Sequence, residues 1–269
     1  MPHPFDLATT LTPDGPGRFL GQTSPDYWNM VGPYGGITAA ALLRALLDDP
    51  RHIGEPLSLT VNYCAPVAEG PFVVTVEIVR TGKSTQHASL RLLQDDPRNP
   101  GTPITTAIAL AVTGVRRPLW SHLAEPCPTA PAPESLQRRP GVAGIRWLDR
   151  YDARYPKAPT GPYSPGEAVI DWVRDDPPRP VDYPSLAGLA DHFFPTIYGE
   201  RGAIVPIATV TLNIYFHAGA EALARVADHY LLGTTRAQVY EAGFHDAESA
   251  LWHEGQLLLT TQQLVWYRD

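Results

Sequence analysis

The sequence predicts an α+β protein made of two tandem halves, each with an antiparallel sheet around one central helix. Three observations support this prediction. An apolar run that begins at two glycines is typical of a buried helix, and runs rich in β-branched and aromatic residues indicate strands in both halves. The order of helix and strands in the first half also returns in the second.

Length and composition indicate an ordinary globular protein. The 269 residues suit one large domain or two fused domains of about 130 residues. A formal net charge of −7 without a basic run argues against a nucleic-acid partner. We find no apolar run long enough for a membrane span, no secretory signal and no metal-like spacing of the two cysteines. A cytoplasmic protein without a metal or other cofactor is therefore expected.

The N-terminal half begins with the helix. Gly35-Gly36 opens the run Ile37–Leu47, which is apolar on nearly every side and stops at Asp48-Asp49-Pro50. Clusters of Pro, Gly and Asp then separate four predicted strands: Leu57–Cys64, Phe72–Arg80, Gln86–Gln94 and Ile104–Val115. Their succession predicts an antiparallel meander.

The C-terminal half has a similar order. A predicted strand, Ala168–Arg174, leads to a short helix that Ser185 caps, that runs through His192 and that Pro195 terminates. Four more predicted strands follow: Ala208–Phe216, Tyr230–Tyr240, His245–His253 and Gln256–Trp266. Each half is thus one helix with about five strands.

Proline is concentrated between the two halves. Proline lacks a backbone donor and has a fixed φ, so this stretch favours extended or turn structure. Within it, only the part around Ile145–Tyr151 is apolar enough to pack. We therefore predict an N-terminal domain at 1–117, a Pro-rich linker at 118–165 and a C-terminal domain at 166–269.

The halves also match residue by residue in two places. Leu59–Ala65 aligns with Leu212–Ala218, and Gly101–Ala107 aligns with Gly255–Thr261. Either match alone can arise by chance between strands rich in Thr and Leu. Both matches in the same order, each after a helix, favour a tandem duplication.

Three residues of the C-terminal half are polar where an apolar residue is expected. The alignment places Thr209 opposite Pro56 and Gln263 opposite Ala109. Asp191 closes an otherwise apolar helix, although a helix C-terminus disfavours negative charge. A carboxylate, a hydroxyl and a carboxamide on adjoining elements can hold a water molecule. Taken singly, each also has an ordinary interpretation as a surface or strand residue.

Several common catalytic motifs are absent from the sequence. It contains no G-x-x-x-x-G-K loop, no G-x-S-x-G elbow and no H-E-x-x-H pair. Phosphoryl transfer, serine α/β-hydrolase chemistry and the common zinc proteases are therefore disfavoured. The nine histidines are scattered, and no metal site is expected.

Five segments together resemble a known family: Gly35-Gly36 with its helix, LSLTVNYCAPV, IDWVRDD with LAGLADHF, IATVTLNIYFH and EGQLLLTTQQLVWYR. They are similar to the type II acyl-CoA thioesterases of the double hot-dog class, over most of the chain apart from the linker. The resemblance implies two hot-dog domains side by side, each with an antiparallel sheet wrapped around a central helix. It also implies hydrolysis of fatty acyl-CoA without a covalent intermediate.

The same resemblance implies roles for the polar residues. Asp191 would accept a proton from water or orient it, while Thr209 and Gln263 would hold the water near the thioester carbonyl. The backbone N–H groups of Gly35-Gly36 would stabilise the oxyanion, and the alternative for these glycines is a tight packing contact. Thr211 would replace Thr209 only if the strand register slipped by two residues.

Two other functions remain open. A hot-dog hydratase or dehydratase needs a His with an acid, and Asp191-His192 is the adjacent pair, although consecutive helical residues point about 100° apart. A non-catalytic protein that binds acyl-CoA or another lipid is the second alternative. The expected partner is acyl-CoA, and exposed sheet edges favour a homodimer. Candidate ligands of the CoA phosphates are Arg80, Arg116 and Arg236.

Overall fold

The N-terminal half contains the helix and the four strands that its sequence predicts, but the strands do not form the predicted meander, because the first of them pairs with the fourth instead of the second. The computed structural model describes residues 2–96, 98–117, 119–159 and 167–268. The predicted helix and four strands are confirmed to within a few residues at their ends, and a short helix and two strands precede them. In chain order the elements are α1 (Pro4–Ala8), β1 (Thr12–Pro13), β2 (Arg18–Gln22), α2 (Gly35–Leu47), β3 (Glu55–Tyr63), β4 (Pro71–Thr81), β5 (Thr85–Asp96) and β6 (Asn99–Gly114).

The C-terminal half contains every predicted strand and three helices where one was expected. The predicted strand from Tyr230 to Tyr240 is shorter, and a helix precedes it. In chain order the elements are β7 (Tyr151–Arg154), β8 (Val169–Asp175), α3 (Tyr183–Leu189), α4 (Thr196–Arg201), β9 (Ile207–Phe216), α5 (Ala220–Val226), β10 (Leu231–Arg236), β11 (Tyr240–Glu241), β12 (Phe244–His253) and β13 (Gln256–Tyr267).

One antiparallel sheet runs through both halves of the described chain. Its strand order is β1-β2-β4-β5-β6-β3-β9-β13-β12-β10-β8-β7, and β11 pairs with β12. The halves join where β3 pairs with β9, with Val61 opposite Leu212. Both residues are fully buried, so their shared face is the inner one. The continuous sheet is the arrangement predicted for a double hot-dog protein.

The two central helices pack against each other inside the sheet. Ten of the thirteen residues of α2 are buried, which agrees with its apolar composition. A Cβ atom at Gly36 would lie only 2.3 Å from the Gly188 carbonyl oxygen of α3. Glycine at position 36 therefore allows the two helices to approach at the level of the backbone. No helix in the described ranges is long and apolar enough to cross a membrane.

The predicted limits of α3 are wrong in two respects. Asp182, not Ser185, is the N-cap, and Ser185 at the third helical position returns the hydrogen bond to complete a capping box. The helix ends at Leu189 instead of His192. Asp191 therefore lies in the turn after the helix.

The segment predicted as a linker contains regular structure in its described part. Residues 133–135 and 146–150 form short 3-10 helices, and β7 adds to the edge of the sheet beside β8. Trp147 stacks on Tyr34, next to α2, with ring centroids 4.2 Å apart. Position 118 and positions 160–165 of the predicted linker lie outside the described residues.

Candidate active site

Asp191, Thr209 and Gln263, the three polar residues singled out in the sequence, form one hydrogen-bonded chain. The Thr209 hydroxyl donates to Gln263 Oε1 over 3.2 Å, and Gln263 Nε2 donates to Asp191 Oδ1 over 3.0 Å. The carboxamide of Gln263 thus fixes both the hydroxyl and the carboxylate.

The register of β9 and β13 explains why Thr209 reaches this site. Gln263 is paired with Leu212, whose side chain is fully buried, so Gln263 lies on the inner face of the sheet. A β-bulge at Val210 then shifts the alternation and turns Thr209 to the same face. Without the bulge, strand alternation would direct this side chain outward.

The same bulge excludes Thr211 as the alternative to Thr209. Thr211 is paired with Leu264 and lies on the outer face of the sheet. Side chains two residues apart lie on the same face of the sheet only where the strand is regular. The extra residue at Val210 interrupts this alternation between Thr209 and Thr211.

A matching bulge occurs in the N-terminal half, at Leu57 of β3. Past this bulge, Leu59 is paired with Ala111, as its counterpart Leu212 is paired with Gln263. The structural counterpart of Gln263 is therefore Ala111, and the predicted Ala109 is two residues out of register. Both residues are alanine, so the difference in polarity between the halves remains.

The two glycines at the start of α2 lie against Asp191 and α3. A Cβ atom at Gly35 would lie 2.7 Å from Asp191 Oδ2. The Gly36 backbone N–H faces the Asp191 carboxylate and favours its ionised form. Gly36 thus makes the tight packing contact with α3, and Gly35 approaches the carboxylate. The oxyanion role of the two glycines stays a prediction.

The environment of Asp191 suits a group that accepts protons near neutral pH. Burial raises the pKa of Asp191 to about 7, while hydrogen bonds from Gln263 and the Gly36 N–H and the nearby His192 oppose this rise. Such a pKa is matched to general-base catalysis near neutrality.

Two tyrosines near Asp191 were missed by sequence reasoning. The Tyr63 hydroxyl donates to the Gly35 carbonyl oxygen over 2.8 Å, and the Tyr34 hydroxyl donates to the Gly188 carbonyl oxygen over 2.7 Å. Burial and the proximity of Asp191 raise the pKa of both tyrosines well above the usual value. Both hydroxyls are thus neutral donors. Their distance along the chain from Asp191 left no signal in the sequence.

His192 does not face the site together with Asp191. Its ring is buried, with Nε2 2.8 Å from Asp171 Oδ2 and Nδ1 against the Leu189 carbonyl oxygen. Both ring nitrogens therefore face oxygen atoms of the protein, those of the Leu189 carbonyl and the Asp171 carboxyl. This arrangement engages the imidazole away from a substrate and does not support the hydratase interpretation.

The arginines suggested for the CoA phosphates have different environments. Arg116 donates to the carbonyl oxygens of Pro56 in β3 and Phe216 in β9, so it joins the two halves. Arg236 pairs with Glu248. Arg80 is exposed on β4. The contacts of Arg116 indicate a structural role.

Asp175, at the end of β8, is a second carboxyl in an unusual environment. It is 2% exposed, and among the described residues neither carboxyl oxygen has a hydrogen-bond partner. Burial raises the pKa of Asp175 to about 7. It lies outside the chain of hydrogen bonds that links Asp191, Gln263 and Thr209.

We expect Asp175→Asn to stabilise the protein at alkaline pH. Because the folded pKa of about 7 exceeds the ordinary value of 3.8, Asp175 favours folding below pH 4 and loses this contribution as the pH rises through 7. Asparagine does not ionise, so the variant should gain about 2–4 kcal/mol over wild type at pH 8 and little at pH 4. Urea unfolding at both pH values measures the difference. Equal effects at the two pH values, or a matching gain in the exposed control Asp228→Asn, would contradict the assignment.

Comparison with known proteins agrees with this architecture. The sequence profile of the acyl-CoA thioesterase N-terminal domain matches residues 24–113, and that of the C-terminal domain matches residues 124–267. No curated protein matches the sequence significantly.

Solved structures match over nearly the whole chain. A conserved protein of unknown function with a hot dog fold from Alicyclobacillus acidocaldarius is 40% identical, with a TM-score of 0.93, and the match covers 100% of this chain and 99% of that one. An acyl-CoA thioesterase II from Mycobacterium marinum is 20% identical, with a TM-score of 0.76 and 98% of each chain covered. The TesB protein of Mycobacterium avium subspecies paratuberculosis is 19% identical, with a TM-score of 0.78 and 98% of each chain covered.

These matches confirm the double hot-dog fold. The two domain profiles follow each other in the order that the duplicated halves predict. The chain therefore belongs to the acyl-CoA thioesterase family.

Proposed function

We propose that the protein hydrolyses a fatty acyl-CoA thioester to the free acid and CoA, with a water molecule activated by Asp191. The observation that carries this proposal is the hydrogen-bonded chain of Asp191, Gln263 and Thr209 at the start of α2. Membership of the acyl-CoA thioesterase family supports the substrate class.

The hydrogen bonds suggest how the water is held. The Thr209 proton is donated to Gln263, so the Thr209 oxygen has lone pairs free to accept one hydrogen of the water. Asp191 accepts the other hydrogen. With both hydrogens directed, an oxygen lone pair of the water points at the thioester carbonyl carbon. Gln263 therefore acts by orienting Asp191 and Thr209.

The proton transfers balance over the two steps. As the water attacks, a C–O bond forms and one water proton passes to Asp191, leaving a tetrahedral oxyanion. When the intermediate collapses, the C–S bond breaks and Asp191 returns the proton to the leaving sulfur. The products are the acid and the free thiol, and Asp191 is again a carboxylate.

The start of α2 supplies the donor for the oxyanion in this proposal. The Gly36 N–H is directed to Asp191, so the Gly35 N–H at the first helical position is the remaining candidate. Among the described residues the Gly35 N–H has no hydrogen-bond acceptor. A helix N-terminus stabilises negative charge, which suits this role.

We expect the reaction to be fastest above neutral pH. Asp191 must be ionised to accept a proton, and burial raises its pKa to about 7. The logarithm of kcat/KM should therefore rise with a slope near one below pH 7 and level off above it. Stopped-flow or steady-state thiol release from pH 5 to 9 measures this profile. A midpoint near pH 4, typical of an exposed Asp, would contradict a buried base.

Release of free thiol from acyl-CoA esters of increasing chain length tests the function directly. Turnover by wild type that requires Asp191 supports the proposal, and the chain-length profile defines the acyl group. Tight binding of an acyl-CoA without turnover of any ester would instead support the non-catalytic alternative.

A further inference from the structure

The peptide bond between Gly35 and Gly36 is engaged at both ends. Its carbonyl oxygen, on Gly35, accepts a hydrogen bond from the Tyr63 hydroxyl over 2.8 Å. Its N–H, on Gly36, faces the Asp191 carboxylate and lowers the pKa of that group. One planar group therefore lies between the tyrosine and the carboxylate.

We propose that Tyr63 is a positioning residue for Asp191, because its hydroxyl fixes the Gly35–Gly36 peptide with the N–H directed at the carboxylate. The effect of Tyr63 on catalysis rests on the proposed function, whereas its structural relation to Asp191 does not. The structural relation between Tyr63 and Asp191 stands on the hydrogen bond from the Tyr63 hydroxyl to the Gly35 carbonyl oxygen and on the close approach of position 35 to Asp191 Oδ2.

The sheet places Tyr63 where it can do this. Leu59 and Val61 are fully buried on the inner face of β3, and Tyr63 continues that face by strand alternation. β3 is the strand that pairs with β9, the strand of Thr209. Tyr63 thus approaches the site from the N-terminal half at the junction of the two halves.

The peptide also has little freedom to relax around Tyr63. A Cβ atom at Gly35 would lie 3.3 Å from the Tyr63 hydroxyl oxygen and 2.7 Å from Asp191 Oδ2. Both oxygens are thus close to one point of the backbone. A rotation of this peptide would weaken both contacts together.

The Tyr63 hydroxyl stays protonated and therefore acts as a hydrogen-bond donor to the peptide. Burial and the nearby Asp191 hold the pKa of Tyr63 well above its usual value, so the hydroxyl stays protonated across the working pH range. Donation to the carbonyl polarises the peptide and makes its N–H more positive, which favours the ionised form of the facing carboxylate. Loss of the hydroxyl should therefore make ionisation of Asp191 less favourable.

The test compares Tyr63→Phe with a matched variant, Tyr183→Phe. Tyr183 is also buried and its hydroxyl also donates to a backbone carbonyl, that of Ala218. It begins α3, about 10 Å along the helix axis from the end that carries Asp191. Thermal unfolding of both variants shows whether each remains folded.

Titration of the Asp191 carboxyl carbon, followed by ¹³C NMR and assigned by comparison with Asp191→Asn, measures the pKa of Asp191 without an activity assay. In Tyr63→Phe the midpoint should rise by about half a pH unit, and the acid limb of the kcat profile should move by the same amount. At saturating substrate kcat should fall about fivefold, with KM within twofold of wild type. Tyr183→Phe should move neither midpoint.

The outcomes separate this inference from the proposed function. An unchanged Asp191 midpoint in folded Tyr63→Phe, or equal shifts in both variants, would overturn the role of Tyr63. An NMR shift in a protein without thioesterase turnover would support the role of Tyr63 and contradict the proposed function.

Discussion

Asparagine in place of Asp191 is expected to reduce kcat/KM for the best acyl-CoA ester by about 10²–10⁴-fold, the usual contribution of a general base. Asparagine preserves the shape of the side chain and its contact with Gln263 after a rotation of the amide, but it cannot accept the water proton. The loss should appear in kcat, since the role of Asp191 lies in the chemical step. Thiol release at pH 8 measures it.

The matched control for this change is Asp175→Asn. Asp175 is likewise a carboxyl whose pKa burial raises to about 7, and it lies outside the site. Its replacement should leave kcat/KM within about twofold of wild type. If the two variants lost activity equally, or if Asp191→Asn stayed active, a water held by Asp191 would no longer explain the reaction.

Alanine at position 35 is expected to have the second largest effect, a loss of activity of about 10²-fold in a protein that remains folded. The added methyl would lie 2.7 Å from Asp191 Oδ2, which is the far end of a side chain that can rotate away. Rotation relieves the clash at little cost in stability and moves the base by the order of an ångström. Steady-state kinetics together with urea unfolding measures both quantities.

The neighbouring substitution Gly36→Ala should fail in a different way. Its methyl would meet the Gly188 carbonyl oxygen at 2.3 Å, and neither backbone can move without separating α2 from α3. We therefore expect a loss of unfolding free energy of about 1–3 kcal/mol or more. A Gly35→Ala variant that is fully active, or one as unstable as Gly36→Ala, would contradict the close approach of position 35 to the base.

The fold was predictable where local pattern and burial agree. The helix α2 is apolar all round and sits inside the sheet, so composition and position indicate the same structure. The cap of α3 was predicted at the wrong residue because Asp182 and Ser185 are both good capping residues and exchange hydrogen bonds in the capping box. Local sequence does not distinguish the two partners of such a box.

Part of the site was predictable because its residues differ in polarity from their counterparts in the other half. Duplication exposed Thr209 and Gln263 as polar substitutions, and the structure brings both to Asp191. The face of Thr209 depends on a bulge at Val210, which no turn residue marks in the sequence. Tyr63 acts on a residue 28 positions away, so its contact follows from tertiary structure alone.

The candidate site lies at the junction of the two halves, and the two halves contribute different groups to it. The N-terminal half lends the first turn of α2, whereas the carboxylate, hydroxyl and carboxamide all come from the C-terminal half. At the pseudosymmetric location, Pro56 and Ala111 stand where Thr209 and Gln263 would be needed. The corresponding location of the N-terminal half therefore lacks the hydroxyl and the carboxamide, and the two halves contribute different groups to the candidate site.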